Sequence, residues 1–470
     1  MTERVHFIGI GGAGMSVVAE LFLARGHAVS GSDAKDSAAL QRLAGLGAHV
    51  RVGHAAEAVE GATTVVVSTA IREDNPELLA ARAAGTEIIH RSVALARAAA
   101  GLDFVAVAGA HGKTTTSGML ATALAEVGAD PSYAIGSVLV SSGTGAHLGS
   151  GRAFVAEADE SDLSFLNYRP RVAVVTNVEA DHLDRYGSTA AVHEAFERFV
   201  DRVEPGGLLV ACADDAGSAA LAAGAAGNGV RVQRYGVADA VAAGAWPEPP
   251  PSARPDVLLH DVRLSGDGST AVLRQQGEDD VELRLGVPGA HNLRNATAAW
   301  CVGVELGVDR AAMARALGAF TGTARRFQLR GEVAGVRVVD DYAHHPTEVA
   351  ELLKAARAAA RGGRVLVLFQ PHLYSRTQAF AAEFAAALDA ADEVVVTDVY
   401  GAREDPVPGV TSALVTDRMR SGRHVPDRLA AAAAVAEAAR PGDLVLTVGA
   451  GDVTELGETI LAALAAREEA

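Results

Sequence analysis

The sequence predicts an α/β protein on mostly parallel sheets, divided into about three domains. Three observations carry this reading. Short β-branched runs alternate with Ala/Leu-rich helical stretches along most of the chain, the pattern of βαβ units. Two glycine loops each follow such a run and open a helical stretch. At roughly 150 residues per domain, 470 residues accommodate three cores.

In the first segment Val5–Ile10, His27–Ser30, His49–Val52, Val65–Ser68 and Glu87–Ile89 read as strands. Helical patterns over Met15–Arg25 and Ala38–Leu46 lie between them. A second unit opens with strand Phe104–Ala108, a glycine turn and a helix over Thr114–Val127. The apolar runs Ala153–Ala156 and Val172–Thr176 read as buried strands, each ending in a cluster of acids. Ala245–Asp256 is proline-rich and reads as loop. After it, Val257–Arg263, Ala271–Arg274 and Val281–Leu285 read as strands, and a helix starts at His291. A third unit begins near Arg325, with strands at Val336–Asp340, Arg364–Gln370, Glu393–Thr397 and Leu444–Val448. The Ala runs at 378–391 and 428–440 read as surface helices of high propensity.

Apolar residues make up 49% and charged residues 21%, which excludes a disordered or fibrous chain. The balance of 41 basic against 58 acidic residues gives a net charge of −17, against sequence-independent nucleic-acid binding. No apolar window reaches the ~18 residues of a membrane span, so no membrane insertion is expected. The first apolar run is broken by glycines and lacks a small-residue cleavage site, so it does not read as a signal peptide. Cys212 and Cys301 sit in apolar surroundings and read as buried thiols in a cytoplasmic protein. Only three of the basic residues are lysines: Lys35, Lys113 and Lys354. A lysine kept in so Arg-biased a chain points to a need for a compact charge.

Gly9-Ile10-Gly11-Gly12-Ala13-Gly14 has the context in which a diphosphate approaches the backbone at a helix N-terminus. Asp33, after the second strand, is placed to accept a ribose hydroxyl. Gly109-Ala110-His111-Gly112-Lys113-Thr114 is the stronger signal. Its backbone N–H groups would cradle phosphates, Lys113 would reach the β and γ oxygens, and Thr114 would ligate Mg²⁺. The loop departs from the usual spacing because position 107 is Val. Two acid clusters follow: Glu157, Asp159, Glu160 and Asp162, then Glu179, Asp181, His182 and Asp184. Carboxyl ends of parallel strands share one sheet edge, so both clusters are expected to face the phosphate loop. Hard oxygens plus an imidazole suit Mg²⁺ or Mn²⁺. In the third unit, Asp340-Asp341-Tyr342-Ala343-His344-His345-Pro346 and Gln370-Pro371-His372-Leu373-Tyr374-Ser375-Arg376 each follow a strand, with no zinc spacing.

In this order, VHFIGIGGAGMS, AGAHGKTTT, EADESDLSFL, TNVEADHLD, GAHNLRNATAA, RRFQ, DDYAHHPTE and QPHLYSRT resemble the Mur ligase family over nearly the whole chain. The resemblance implies an N-terminal Rossmann-like UDP-sugar domain at 1–101, a central P-loop ATPase-type α/β domain at 102–322 and a C-terminal Rossmann-like α/β domain at 323–470. It implies ATP-dependent joining of L-alanine to the lactyl carboxylate of UDP-N-acetylmuramate through an acyl phosphate. It further implies Gly11, Gly12, Gly14, Ser32, Asp33 and Ser68 for the UDP-sugar, and Gly109, His111, Gly112, Lys113, Thr114, Thr115, His291, Asn292, Asn295 and Arg326 for ATP. Thr114, Glu157 and His182 would hold the metal. Asp341, Tyr342, His344, His372 and Arg376 would form the amino-acid end, with Lys113, His182, Arg326, His344 and Arg376 as the catalytic set. Asn292 and Asn295 fit adenine readers, since an amide both donates and accepts, and equally fit helix caps. Asp341 fits either the amine or a neighbouring imidazole.

Two departures stand out. Several relatives carry a carbamylated lysine at the metal. No lysine lies between Lys113 and Lys354 here, which leaves Glu197 as its substitute. Leu373 stands where a basic residue is expected. A monomer or weak homodimer is expected. Within the family, the alternative activity joins a tripeptide to the same sugar, and GIGGAGMS favours alanine. A nicotinamide-dependent oxidoreductase would leave the GKT loop idle, and a regulatory ATPase would leave the C-terminal His/Arg set idle.

Overall fold

The computed structural model describes residues 3–179, 183–237, 254–402 and 404–468. Their contacts divide the chain into two units. The first comprises Met1–His260, Val272–Leu283 and Arg294–Phe320; the second comprises Asp261–Ala271, Arg284–Leu293 and Thr321–Ala470.

The first unit begins with a five-stranded parallel sheet ordered His49–Val52, Ala28–Asp33, Arg4–Ile8, Thr64–Val67, Glu87–His90. Order reverses beside Arg4–Ile8, so the loop after that strand lies at a topological switch point, where open α/β sheets bind ligands. The strand stops at Ile8 rather than at Ile10. Gly9, at φ +78°, turns the chain so that the Gly9 and Ile10 N–H groups both donate to the Ser32 carbonyl, at 2.8 and 2.9 Å. Helix Ala13–Ala24 follows with Gly12 at its N-cap.

A polar knot is buried under this sheet. Glu77, fully buried, accepts the Ser32 hydroxyl at 2.5 Å and the Ala55 N–H at 3.1 Å, with His6 Nε2 at 3.3 Å. Burial alone would raise this carboxyl, but the contacts of His6, Ser32 and Ala55 hold it below its usual range. Glu77→Ala leaves those donors stranded and is expected to cost about 3 kcal/mol in urea unfolding at pH 7. A depressed carboxyl stabilises above its unfolded value, so the gap between the two proteins must close as pH falls below 4.5. An unchanged gap at pH 3 would assign the loss to packing instead.

The second sheet has ten strands, with Asp103–Ala108 between Val172–Val175 and Ala153–Glu157, all parallel. The two strands that end in acids are therefore the immediate neighbours of the strand that ends in the phosphate loop. All three are buried on both faces, as parallel sheets are. Helix Lys113–Glu126 opens at Gly112, at φ +84°. Within this unit one apolar core runs from Val5 and Phe22 through Phe104 and Phe154 to Phe165, whose ring stacks on Phe199 at 4.9 Å. Cys212 and Cys301 are buried free thiols, and burial pushes Cys212 up to about 12. Most of the proline-rich stretch lies outside the described residues.

The second unit holds a six-stranded sheet. Gln328–Val333 pairs antiparallel with Val336–Asp341, followed by Leu444–Val448, Val365–Phe369, Glu393–Val396 and Arg423–His424 in parallel. The Ala-rich helices are the expected surface elements, each with one stripe turned to the core. Ala381–Leu388 buries Phe384, Ala385 and Leu388, and Arg428–Ala438 buries Ala431, Ala432, Val435 and Ala436. A helix covering a doubly wound sheet must bury one stripe, and here alanine supplies much of it.

Candidate active site

The first glycine loop is held by its neighbours' side chains. Asp33 Oδ2 accepts the Gly11 N–H at 2.9 Å, and a Cβ on Gly11 would stand 3.0 Å from that same oxygen. Asp33 therefore also acts on the loop itself. Ser32 turns its side chain away from the loop. Its hydroxyl is fully buried, 2.5 Å from Glu77 and 2.9 Å from His54 Nδ1, so only its carbonyl reaches the loop. Ser68 follows strand Thr64–Val67 and is half-buried. Gly14 faces Arg91, whose Nη1 lies 3.1 Å from where a Cβ would stand.

The phosphate loop is built tightly. Gly109 adopts φ +134°, and a Cβ there would lie 2.1 Å from Thr176 Oγ1. That hydroxyl donates to the His111 carbonyl at 2.6 Å. The Asn177 amide clamps the same residue on both sides, accepting the His111 N–H at 2.9 Å and donating to its carbonyl at 3.0 Å. His111 Nε2 lies 3.4 Å from Glu179. A Cβ on Gly112 would meet Asn295 Oδ1 at 2.7 Å. Such a backbone cradle, open only to glycine, fits phosphate oxygens. Gly109→Ala is expected to weaken ADP binding by on the order of 100-fold, because the loop must leave Thr176. Calorimetry checks it, and unchanged affinity would disqualify the loop.

Around that cradle the predicted metal residues converge. The Thr114 hydroxyl donates to Glu157 Oε2 at 3.1 Å, while Glu157 Oε1 accepts the Gly136 N–H at 2.7 Å. A hydroxyl and a carboxylate side by side are a hard-oxygen donor pair that fits Mg²⁺. His182, the third predicted ligand, lies outside the described residues, as does Asp181. Lys113 donates to the Gly109 carbonyl at 2.6 Å, the Ala110 carbonyl at 3.2 Å and Glu160 at 2.9 Å. Burial alone would lower the lysine, but Glu160 and Asp159 hold its pKa above the usual value. Thr115 is half-buried in the first turn of the same helix. Glu197 is exposed on helix Thr189–Val200, opposite buried Phe196 and Phe199, which corrects its reading as a metal-bridging substitute.

The two asparagines part company. Asn295 packs against Gly112, whereas Asn292 donates its amide to the Pro288 carbonyl at 2.7 Å and fastens the turn that opens its helix. His291 stands in the first turn of that helix, against Gly289.

In the second unit the sites follow the carboxyl ends of Val336–Asp341 and Val365–Phe369. Asp341 is buried, and its oxygens accept the Ala343 and Phe327 N–H groups at 2.7 and 2.8 Å. It shapes the turn. Burial pushes it up to about 6. Glu348 is the carboxylate that the sequence reading missed. Its Oε2 lies 3.2 Å from His344 Nδ1 and accepts the His344 N–H at 2.9 Å, and its Oε1 lies 3.5 Å from Arg326 Nη1. The signal was its place three residues after His345, the spacing of a capping box at the start of helix Pro346–Ala359. Arg325 and Arg326 lie 4.9 and 5.3 Å from the Tyr342 ring. The His344 and His372 rings meet at 5.9 Å, and His372 stacks on Tyr400. Arg376 is buried, with Nη1 3.5 Å from His372 Nδ1. Leu373 settles its own departure: it is buried at φ +71° and caps the helix that carries Arg376.

Three domain descriptions of one family match in order: "Mur ligase family, catalytic domain" over residues 4–102, "Mur ligase middle domain" over 107–303 and "Mur ligase, glutamate ligase domain" over 325–451. A UDP-N-acetylmuramate–L-alanine ligase of Kineococcus radiotolerans is 57% identical, covering 99% of this chain and 97% of its own. One from Renibacterium salmoninarum is 55% identical over 98% and 96%. The crystal structure of a UDP-N-acetylmuramate–alanine ligase from Thermotoga maritima superposes with a TM-score of 0.81 at 28% identity, covering 99% and 100%.

Proposed function

This chain belongs to the Mur ligase family, and on that premise we propose that it joins L-alanine to the lactyl carboxylate of UDP-N-acetylmuramate while ATP becomes ADP and phosphate. The observation that carries the reading is the phosphate loop between two acid-ended strands, with Thr114 3.1 Å from Glu157. The division at 101/102 and 322/323 gives each substrate a domain: the sugar to the first, ATP to the second and alanine to the third.

A carboxylate attacking a phosphate is anion meeting anion, so positive charge must be brought to it. Lys113 supplies it at the phosphate loop, and Arg326 is the candidate from the C-terminal cluster. Thr114, Glu157 and His182 would hold Mg²⁺ or Mn²⁺, which supplies further charge to the phosphates. The lactyl oxygen bonds to the γ-phosphorus as its bond to the β-bridging oxygen breaks, leaving ADP and an acyl phosphate. The alanine amine then attacks the acyl carbon, phosphate departs and the amine gives up a proton. His344 is the proposed acceptor of that proton. Its Nδ1 faces the Tyr342 carbonyl at 3.0 Å and Glu348, which makes Nε2 the basic nitrogen. Arg376 would pair with the alanine carboxylate.

The test is phosphate release from ATP with UDP-N-acetylmuramate present, adding L-alanine in one reaction and L-alanyl-γ-D-glutamyl-meso-diaminopimelate in another. Release with alanine is expected. Release with the tripeptide alone would overturn the assignment of the acceptor.

A further inference from the structure

The Lys113 ammonium has three N–H groups and three acceptors, two of which are carbonyls of its own loop. The third is Glu160, whose side chain is 4% exposed, and the ammonium must break from all three to meet a phosphate. We propose that Glu160 is a positioning residue that parks the Lys113 ammonium against the phosphate loop and gives it up only in exchange for the nucleotide. The inference rests on reading residues 109–114 as the ATP phosphate loop.

The backbone at Glu160 is held in place. Its carbonyl accepts the Tyr186 hydroxyl at 2.6 Å and the Leu163 N–H at 3.1 Å. Its neighbour Asp159 is tied to Arg91 at 2.6 Å. Departure of the ammonium therefore breaks a buried 2.9 Å ion pair, and that cost is subtracted from nucleotide affinity. The neighbouring acids differ in the same sense. Against burial, Arg91 and Lys113 hold Asp159 down at about 2, whereas burial pushes Glu160 up to about 7. Of the two, Glu160 carries its charge at greater cost.

A glutamine at 160 keeps the shape and removes the charge. Titration of a non-hydrolysable ATP analogue with Mg²⁺ into the full chain is expected to give a Kd about 10-fold lower for Glu160→Gln than for wild type. The same substitution in a Lys113→Ala background is expected to change Kd by less than about 2-fold, because the parked cation is gone. Equal or weaker binding by Glu160→Gln would overturn the inference, and so would equal tightening in both backgrounds, which a general charge effect produces. If glutamine prevents folding, Glu160→Asp, which retracts the carboxylate by one methylene, must shift Kd in the same direction. Absence of analogue binding by wild type would instead overturn the reading of the phosphate loop.

Discussion

Lys113→Ala is expected to lower turnover by on the order of 10³-fold while UDP-N-acetylmuramate binding stays within about 2-fold of wild type. The ammonium is the cation that the phosphate loop itself contributes, and transfer of a phosphoryl group to a carboxylate depends on such charge more than on proton chemistry. The lysine holds its charge at any working pH, because Glu160 and Asp159 raise its pKa despite burial. Its loss also removes the Lys113–Glu160 ion pair, so the variant's unfolding midpoint needs to be measured beside its activity. The sugar is assigned to the first glycine loop, whose geometry depends on Asp33, Gly9 and Ser32 and not on Lys113. Steady-state phosphate release and calorimetry with the UDP-sugar read the two halves separately. Loss of sugar affinity in the variant would break the assignment of the two ligands to different domains.

The two glycine loops were legible because both follow strands, and strand ends are what periodicity reports well. The place of the first acid cluster beside the phosphate loop followed from the same logic, while the choice of Thr114 and Glu157 within it came from the family resemblance. Carboxyl ends of parallel neighbours share an edge, and the register sets Val107 beside Glu157. What stayed hidden was the direction of individual side chains. Ser32 and Asp33 are consecutive, so on a strand they face opposite sides. One goes to the buried Glu77 knot and the other to the glycine loop. The sequence assigned both to a ligand because nothing local distinguishes a buried hydroxyl from a binding one. Asp341 misled for a related reason: a carboxylate that organises its own turn through two backbone N–H groups looks the same in sequence as one aimed at a substrate. Glu348 went unread because its partners, His344 and Arg326, are brought to it by a turn and a second strand.

Arg376→Ala is expected to raise the KM for L-alanine about 100-fold and the KM for ATP by less than about 3-fold. Arg376 is 6% exposed, so a carboxylate reaching it would be paired largely away from water, where a charge-assisted bond is worth about 3 kcal/mol. The short helix Tyr374–Ala379 holds it there, and the left-handed turn at buried Leu373 sets the helix's start. Its nearest ring, His372, stacks on Tyr400, whose carbonyl accepts the Leu373 N–H at 2.9 Å, so the arginine stands on a locked platform. Arg376→Lys keeps the charge but not the fork that meets both carboxylate oxygens, and it is expected to recover only part of the loss. The discriminating measurement is the ratio of the two KM values across wild type, Ala and Lys forms. Parallel rises for alanine and ATP would move Arg376 from the amino-acid carboxylate to the phosphates. A fall in kcat with both KM values unchanged would assign it to the transition state alone.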